Sequence, residues 1–302
     1  MLLPQALLHL RHSARPMTGT PVARAVADAT TRLLGDRAGI TTLLANDALW
    51  VEGFEAFVQI VQATLPGDLK APSARRVAAS TPGLYVPGVG TFINAPLLAG
   101  RTEISREDGL VDQAVAGQVA LTLAHETAGH AYMAENTQLG LRQTLAGSWQ
   151  QAVAFAGAVA RIPQSAAEAD QSVLCLCGQV IILAEGWARW VTRKLSPLLA
   201  ESLPGAAQAI LHDGHSEAQM ADDETARRLM ADLLSHPSAA EAAFERIAAG
   251  EGEATPHGVG LALFEALEHK VGAAGCIETL YEACRLAPSR RPDVFLLSCI
   301  GS

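Results

Sequence analysis

The chain has 302 residues, of which 49% are hydrophobic and 18% are charged, and it carries a net charge of −9. This composition provides apolar material for a buried core and excludes global disorder, and the length suits one large domain or two lobes that share a core. The basic residues are scattered, with the pairs Arg75-Arg76 and Arg290-Arg291 as their densest groups, so no nucleic-acid partner is expected.

The cysteines and the apolar segments indicate where the protein acts. The five cysteines have no regular spacing, which is not the pattern of a disulfide framework, so we expect a reducing compartment. The N-terminus lacks a basic segment ahead of its apolar stretch and predicts no secretory signal. The longest apolar run, residues 173–184, is too short to cross a bilayer. We therefore expect a soluble, cytoplasmic protein that does not enter a membrane.

The first part of the chain predicts helices followed by a small sheet. Apolar residues recur at helical spacing through residues 21–64, and Pro66-Gly67 then breaks the pattern. Short segments rich in β-forming residues follow, separated by turn signals, at 76–79, 84–86, 90–93 and 102–105. These segments predict a small antiparallel sheet.

The rest of the chain predicts helices. An apolar stripe at helical spacing runs directly into residue 125 and consists of Val111, Val115, Val119 and Leu123. Further helices are expected over 137–161, 171–195 and 205–250, and two more after Pro256, divided by Gly272. Ala and Leu dominate while aromatic residues make up 5%, so the predicted fold class is α+β and mainly helical.

Residues 125–130 read His-Glu-Thr-Ala-Gly-His and place two histidines five positions apart. Side chains five apart on an α-helix are separated by about 140°, so two imidazoles could not reach one ion without a local change. A π-bulge adds one residue to a turn and aligns positions i and i+5, and Gly129 makes this widening easier. The spacing therefore predicts that His125 and His130 bind a metal, provided that the helix bulges.

Zinc chemistry explains the residue types of this motif. Imidazoles bind Zn²⁺ well, and a catalytic zinc site has three protein ligands and an open position for water. Glu126 follows the first ligand, where it can take a proton from the activated water and pass it to a leaving amine. The alternative is a helix with two ordinary histidines.

Glu185 is the candidate for the third ligand. It ends the apolar run, and a carboxylate buried there without a partner would cost several kcal/mol, so a metal ion is a suitable partner. Gly186 and Ala188 are small and would let this helix approach another backbone closely. The alternative is a carboxylate at the polar end of a core helix, paired with Arg189 or Arg193.

His257 is the second candidate for a catalytic role. Thr255 has the character of an N-cap and Pro256 that of a first helical residue, so His257 would lie in the first turn of a helix. There it could donate a hydrogen bond to the oxyanion of a tetrahedral intermediate, or it could be a capping or surface histidine. Weaker candidates are Cys175 and Cys177 (core), His212 and His215 (solvated loop), and Glu265 with His269 (helix surface).

The motif His125-Glu126-x-x-x-His130 followed by Glu185-Gly186-Trp187-Ala188 resembles the gluzincin arrangement of zinc peptidases. The longer motif is similar to that of the tubulin-tyrosine carboxypeptidase family and of dipeptidyl peptidase III. Residues 257–262, then Glu268 and Gly272, resemble the closing helices of several bacterial zinc peptidases. The resemblance covers about 84–195 and 255–290.

The resemblance implies a zincin-like core with His125, His130 and Glu185 as zinc ligands and Glu126 as general base. It also implies a sheet whose edge strand, within 84–94 or 101–106, could hold an extended peptide. The gap of 55 residues between His130 and Glu185 is long for the carboxypeptidase family. In enzymes that process peptide natural products a Cys is the third ligand, and Cys175 or Cys177 would then replace Glu185.

The sequence thus predicts one catalytic domain over residues 1–302, with a helical part at 1–70, the sheet and metal-binding helices at 71–195, and a helical part at 196–302. The expected function is that of a Zn²⁺-dependent hydrolase, most simply a peptidase acting on a peptide or protein, with His257 as the candidate oxyanion donor. The alternatives are a zinc enzyme that tailors a peptide natural product and a binding protein with a vestigial metal site. The sequence leaves the oligomeric state open.

Overall fold

The computed structural model describes residues 11, 14–36, 39–64, 71–86, 89–101, 110–133, 181–212, 217–248, 250–285 and 292–301. The chain groups into two compact units, which are described separately. The first unit comprises Met1–Tyr132 and Val191–Asp213, and the second comprises Met133–Trp190 and Gly214–Ser302. The division of residues 1–302 into parts of one catalytic domain stays a prediction.

The first unit combines a small sheet with helices. Its strands are β1 (Arg15–Pro16), β2 (Ala48–Val51), β3 (Gly83–Val86) and β4 (Gly90–Asn94). Its helices are α1 (Pro21–Leu34), α2 (Ile40–Asn46), α3 (Phe54–Thr64), α4 (Ala71–Ser80), α5 (Ala95–Arg101), α6 (Leu110–Ala124), a π-helix (His125–Ala131), the second half of α7 (Ile181–Ser202), a 3₁₀ turn (Pro204–Ala206) and α8 (Ala207–His212).

The sheet is mixed, whereas the sequence predicted an antiparallel one. Its strand order is β1-β2-β4-β3, with β1 and β3 antiparallel to their neighbours and β2 parallel to β4. The prediction was wrong because β2 lies in a region predicted to be entirely helical. Ala48–Val51 is short and almost fully buried, and such an apolar run shows no alternation that would distinguish a strand from a helix.

Two other boundaries also differ from the sequence prediction. The segment 76–79 was predicted to be a strand but lies in helix α4, where Ala74 and Ala78, four positions apart, are both buried. Helix α7 was expected to end at residue 195 but continues through Pro197 to Ser202. The strands predicted at 84–86 and 90–93 are confirmed as β3 and β4.

The two faces of β3 contact different layers of the first unit. Val86 is buried in an apolar cluster with Phe57 of α3, Ala78 of α4 and Phe92 of β4. Successive strand residues point to opposite faces, so Gly83 and Tyr85 lie on the other face. A Cβ atom added at Gly83 would meet Thr122 and Glu126, which places helix α6 and the π-helix on that face.

The second unit is helical in the residues that the structure describes. It contains the first half of α7, α9 (Glu217–Ser235), a 3₁₀ turn (Pro237–Ala239), α10 (Ala240–Ala248), α11 (Pro256–Arg285) and α12 (Pro292–Gly301). Gly272 has φ 74° and ψ 170° inside α11, which confirms the predicted division of this segment into two helices. Trp187 stacks on Trp190, and the Trp190 indole donates to Glu268 at 2.9 Å.

Helices α7 and α11 cross at a pair of glycines in the second unit. A Cβ at Gly186 would lie 2.4 Å from the carbonyl carbon of Gly260, and a Cβ at Gly260 would lie 2.1 Å from the carbonyl oxygen of Ile182. The close approach that the small residues after Glu185 predicted is therefore confirmed. It also sets the distance between the neighbouring side chains Glu185 and His257.

Some predictions fall on residues outside the described part of the chain. These are the strand at 102–105, the helix at 137–161 and the first part of the helix at 171–195. Among the helices that the structure describes, none is both long enough and apolar enough to cross a membrane.

Candidate metal centre

The π-helix is the local structure that brings the two motif histidines together. It spans His125–Ala131, and the Tyr132 N–H at its end donates to the carbonyl of Thr127, five residues earlier. This pattern aligns positions i and i+5, as the spacing of the motif predicted. The imidazole rings of His125 and His130 have centroids 4.9 Å apart and are nearly perpendicular, at 83°.

Glu126 joins the histidines in a group that could hold a metal ion. One ligand atom from each of His125, Glu126 and His130 lies within 4.8 Å of the others. Zinc binds imidazole nitrogen at about 2.0–2.1 Å, so small ring movements would bring both nitrogens to one ion. Two imidazoles and a carboxylate suit Zn²⁺ as well as Mn²⁺ or Fe²⁺, and the donor set therefore fits a metal without selecting one.

The Glu126 carboxylate is buried and is held by strand β3. Glu126 is 6% exposed as a whole residue. Its carboxylate oxygen Oε2 accepts a hydrogen bond of 2.9 Å from the backbone N–H of Tyr85. The hydrogen bond joins the motif to the edge of the sheet, because β3 is the last strand in the order β1-β2-β4-β3. Of the two segments predicted to contain the edge strand, 84–94 contains an edge strand of the sheet that the described residues form, and 101–106 lies mostly outside those residues.

Gly83 allows β3 to lie directly on the motif helix. An added Cβ would be 2.6 Å from Thr122 Cγ2 and 2.9 Å from Glu126 Cγ. Thr122 precedes Glu126 by four residues, so both side chains project from the same helix face. A side chain at position 83 would push the strand away and lengthen the hydrogen bond between Tyr85 and Glu126.

Glu185 and His257 pair with each other in the second unit. The distance from His257 Nε2 to Glu185 Oε2 is 3.1 Å, and the side chains are 47% and 18% exposed. Burial lowers the pKa of His257, but the negative charge and the hydrogen bond of Glu185 outweigh it and raise the pKa above its ordinary value. The carboxylate at the end of the apolar run therefore has an imidazole as a partner.

The start of helix α11 fixes the position of His257. Thr255 Oγ1 accepts a hydrogen bond of 3.1 Å from the Gly258 N–H, which confirms Thr255 as the predicted N-cap, with Pro256 as first helical residue. Asp222 of helix α9 accepts from the Thr255 N–H at 2.8 Å and from its hydroxyl at 2.6 Å. The cap and the carboxylate together fix the backbone that carries His257.

The other candidate residues have ordinary surroundings or lie outside the described part. Arg189, considered as a partner of Glu185, forms a largely buried ion pair with Asp223 at 3.1 Å. Glu265 contacts Arg227 at 3.0 Å, and His269 is exposed. Cys175, Cys177 and His215 lie outside the described residues, as do the side-chain surroundings of His212.

Sequence reasoning missed Gly83 and Tyr85 as residues of the candidate metal centre. In the sequence, Tyr85 belongs to the segment 84–86 predicted as a strand, and Gly83 belongs to the turn signal Pro82-Gly83 just before it. No sequence motif reveals them, because Gly83 matters through its lack of a side chain and Tyr85 through its backbone N–H.

The comparisons with known proteins give no relative for this chain. No protein-family model, no curated protein and no solved structure matches it.

Proposed function

We propose that the protein is a zinc-dependent hydrolase that cleaves a peptide bond. The observation that carries the proposal is the π-helix that aligns His125 with His130 and leaves the buried Glu126 carboxylate beside them. A π-helix is rare and concentrates at functional sites, and this one falls on the two histidines whose spacing requires it.

His125 and His130 would hold the ion in this proposal. A bound zinc ion supplies Lewis acidity, which polarises a carbonyl and activates water at neutral pH. Glu126 is the residue that moves the proton: it accepts one from the attacking water and returns it to the leaving amine. Its burial limits access by bulk solvent, and the hydrogen bond from the Tyr85 N–H to Oε2 fixes the orientation of the carboxylate.

The third ligand in the proposal is Glu185, on the basis of the sequence resemblance to gluzincins. Glu185 is 3.1 Å from His257 in the second unit, and hydrogen bonds to ligating carboxylates are common in metal sites. The alternative third ligand is Cys175 or Cys177. His257 is proposed as the donor to the oxyanion, with Nδ1 as the ring nitrogen not engaged by the hydrogen bond to Glu185.

A peptide is the proposed substrate class because of the edge strand. In an antiparallel pair, every second residue directs its backbone N–H and C=O to the neighbouring strand, and the residues between them direct theirs away from it. The Asn94 N–H donates to the Pro82 carbonyl at 2.9 Å, so residues 82, 84 and 86 face β4, and the backbone groups of Gly83 and Tyr85 face outward. An outward-facing strand edge can pair with an extended peptide. The Tyr85 N–H of this edge already donates to Glu126, so a peptide would pair with the outward backbone groups of Gly83, next to Glu126.

The experiment that tests this function is a screen of a peptide library for new termini. The wild-type protein is compared with Glu126→Gln and with the control Glu55→Gln, which changes an exposed carboxylate of the same unit. New termini with wild type and Glu55→Gln, and none with Glu126→Gln, are expected. The same termini with Glu126→Gln would refute Glu126 as general base, and a modified peptide without new termini would favour a tailoring reaction.

A further inference from the structure

We propose that the Tyr85 backbone N–H is a positioning group that keeps the Glu126 carboxylate out of the metal's coordination sphere. This inference rests on the proposed function, because it concerns the same site. It explains how Glu126 can lie beside two metal ligands and still act as a base. The role requires only the backbone N–H of Tyr85, so the tyrosine side chain does not take part in it.

Glu126 is close enough to the histidines to be a ligand itself. A carboxylate oxygen of Glu126 and a nitrogen of each imidazole all lie within 4.8 Å of one another. A catalytic zinc site needs an open position for water, and a carboxylate bound there would occupy that position and lose its availability for protons. Something must therefore compete with the metal for this carboxylate.

The Tyr85 N–H is that competitor. It donates to Glu126 Oε2 at 2.9 Å, and the register of β3 with β4 directs it away from the sheet. A hydrogen bond to a charged acceptor is worth about 1.5–3 kcal/mol, which corresponds to a factor of about 10–100 in an equilibrium constant. Ligation of Glu126 through Oε2, or through both oxygens, would have to give up this hydrogen bond, and ligation through Oε1 would have to fit the carboxylate orientation that the hydrogen bond imposes.

Gly83 makes the interaction possible. Because an added Cβ there would contact both Thr122 and Glu126 at less than 3.0 Å, only glycine lets the strand approach close enough for the hydrogen bond. The strand therefore has two adaptations to the motif helix, a missing side chain and an outward N–H. Both act on the same carboxylate.

The test removes the N–H and measures zinc affinity by competition with a chromophoric chelator. In the first variant the α-hydroxy acid analogue of tyrosine replaces Tyr85. The backbone amide between residues 84 and 85 then becomes an ester, which has no N–H, and the side chain is unchanged. The second variant, Tyr85→Pro, also lacks the N–H. An edge strand tolerates proline where the N–H faces outward from the sheet. Leu84 lies in strand β3 and so already has the extended backbone that the residue before a proline requires. Tyr85→Ala is the control, because it keeps the N–H.

The expected result is a tighter zinc complex when the N–H is absent. Both variants should bind zinc about tenfold more tightly than wild type, with Glu126 as an added ligand. Tyr85→Ala should match wild type. Adding Glu126→Ala should cancel the gain in each variant, while Glu126→Ala alone should change zinc affinity by less than about twofold. Melting curves establish that each variant is folded.

The outcomes separate this inference from the proposed function. Zinc binding by wild type with no difference between the ester and Tyr85→Ala would overturn the inference alone. A loss of about tenfold or more in Glu126→Ala alone would also overturn it, because the carboxylate would already be a ligand. Wild-type protein that binds no zinc would overturn both.

Discussion

His257 and Glu185 form an ion pair in the second unit, with Nε2 and Oε2 3.1 Å apart. The pKa of His257 reflects a competition in which burial favours the neutral ring and Glu185 favours the charged ring, with Glu185 and Asp222 prevailing over burial and Arg189. Because the folded-state pKa is raised, the pair stabilises the protein fully below the ordinary pKa of histidine. That stability is lost as the pH rises through the raised value.

Glu185→Gln should lower the pKa of His257 in chelator-treated protein. Removing the carboxylate takes away the main effect that raises the pKa and leaves burial and Arg189, which favour the neutral ring, opposed by Asp222 alone. NMR titration of the imidazole signals measures the change. Glu278→Gln, an exposed position of α11 beyond the break at Gly272, should leave the titration as in wild type. An unchanged pKa in Glu185→Gln would refute the pairing.

Gly83→Ala should destabilise the first unit by roughly 1–3 kcal/mol. Glycine inside a strand normally weakens it, so alanine would be expected to help if there were space. The new Cβ would instead be 2.6 Å from Thr122 Cγ2. Urea unfolding measures the loss, and Gly53→Ala, whose Cβ has no heavy atom closer than 3.7 Å, is the control. Equal stability of the two variants would contradict the close packing of β3 on the motif helix.

At the scale of elements, the π-helix is the feature that turns the motif into a candidate metal site. Its existence could be predicted from the sequence, because the spacing of His125 and His130 is incompatible with one ion on a regular α-helix. Strand β2 could not be predicted, because a buried strand of four residues has no periodicity of its own. The strand prediction at 76–79 was wrong: the segment holds one β-branched residue, Val77, and the buried Ala74 and Ala78 have helical spacing.

Deleting Ala128 should preserve zinc binding, whereas inserting an alanine before His130 should abolish it. A π-bulge is equivalent to one extra residue in an α-helix, so the deletion leaves the histidines four apart on a regular helix, where they are again aligned. The insertion places them six apart and separates them. Elemental analysis after dialysis measures both. Zinc loss on deletion with retention on insertion would contradict the role given to the π-helix.

Gly186→Ala should destabilise the second unit by roughly 1–3 kcal/mol. Alanine normally stabilises a helix interior relative to glycine, but this Cβ would lie 2.4–2.5 Å from backbone atoms of Gly260, which cannot move aside independently. Gly301→Ala, a helical position with no atom within 4 Å of the added Cβ, should be neutral or stabilising. The comparison is made by urea unfolding. A neutral Gly186→Ala would contradict the helix crossing that sets the distance between Glu185 and His257.

For the whole molecule, the sequence was informative about helices and chemistry and less so about the sheet. A mainly helical chain with a motif that could hold a metal ion follows from composition and from six residues. The mixed order of the strands, the hydrogen bond from Tyr85 to Glu126 and the pairing of Glu185 with His257 depend on contacts between distant segments. Periodicity reports only on neighbours along the chain, so it could not reveal them.

The zinc content of the purified protein tests the central claim most directly. We predict about one zinc per chain in wild type by elemental mass spectrometry, lost in His125→Ala and in His130→Ala. Loss in Glu185→Ala would support this residue as third ligand, and retention there would direct the search to Cys175 and Cys177. His236→Ala, an exposed histidine, is the control that should keep the metal. Wild-type protein that binds no zinc, even when zinc is supplied, would contradict the proposed metal centre and the hydrolase function with it.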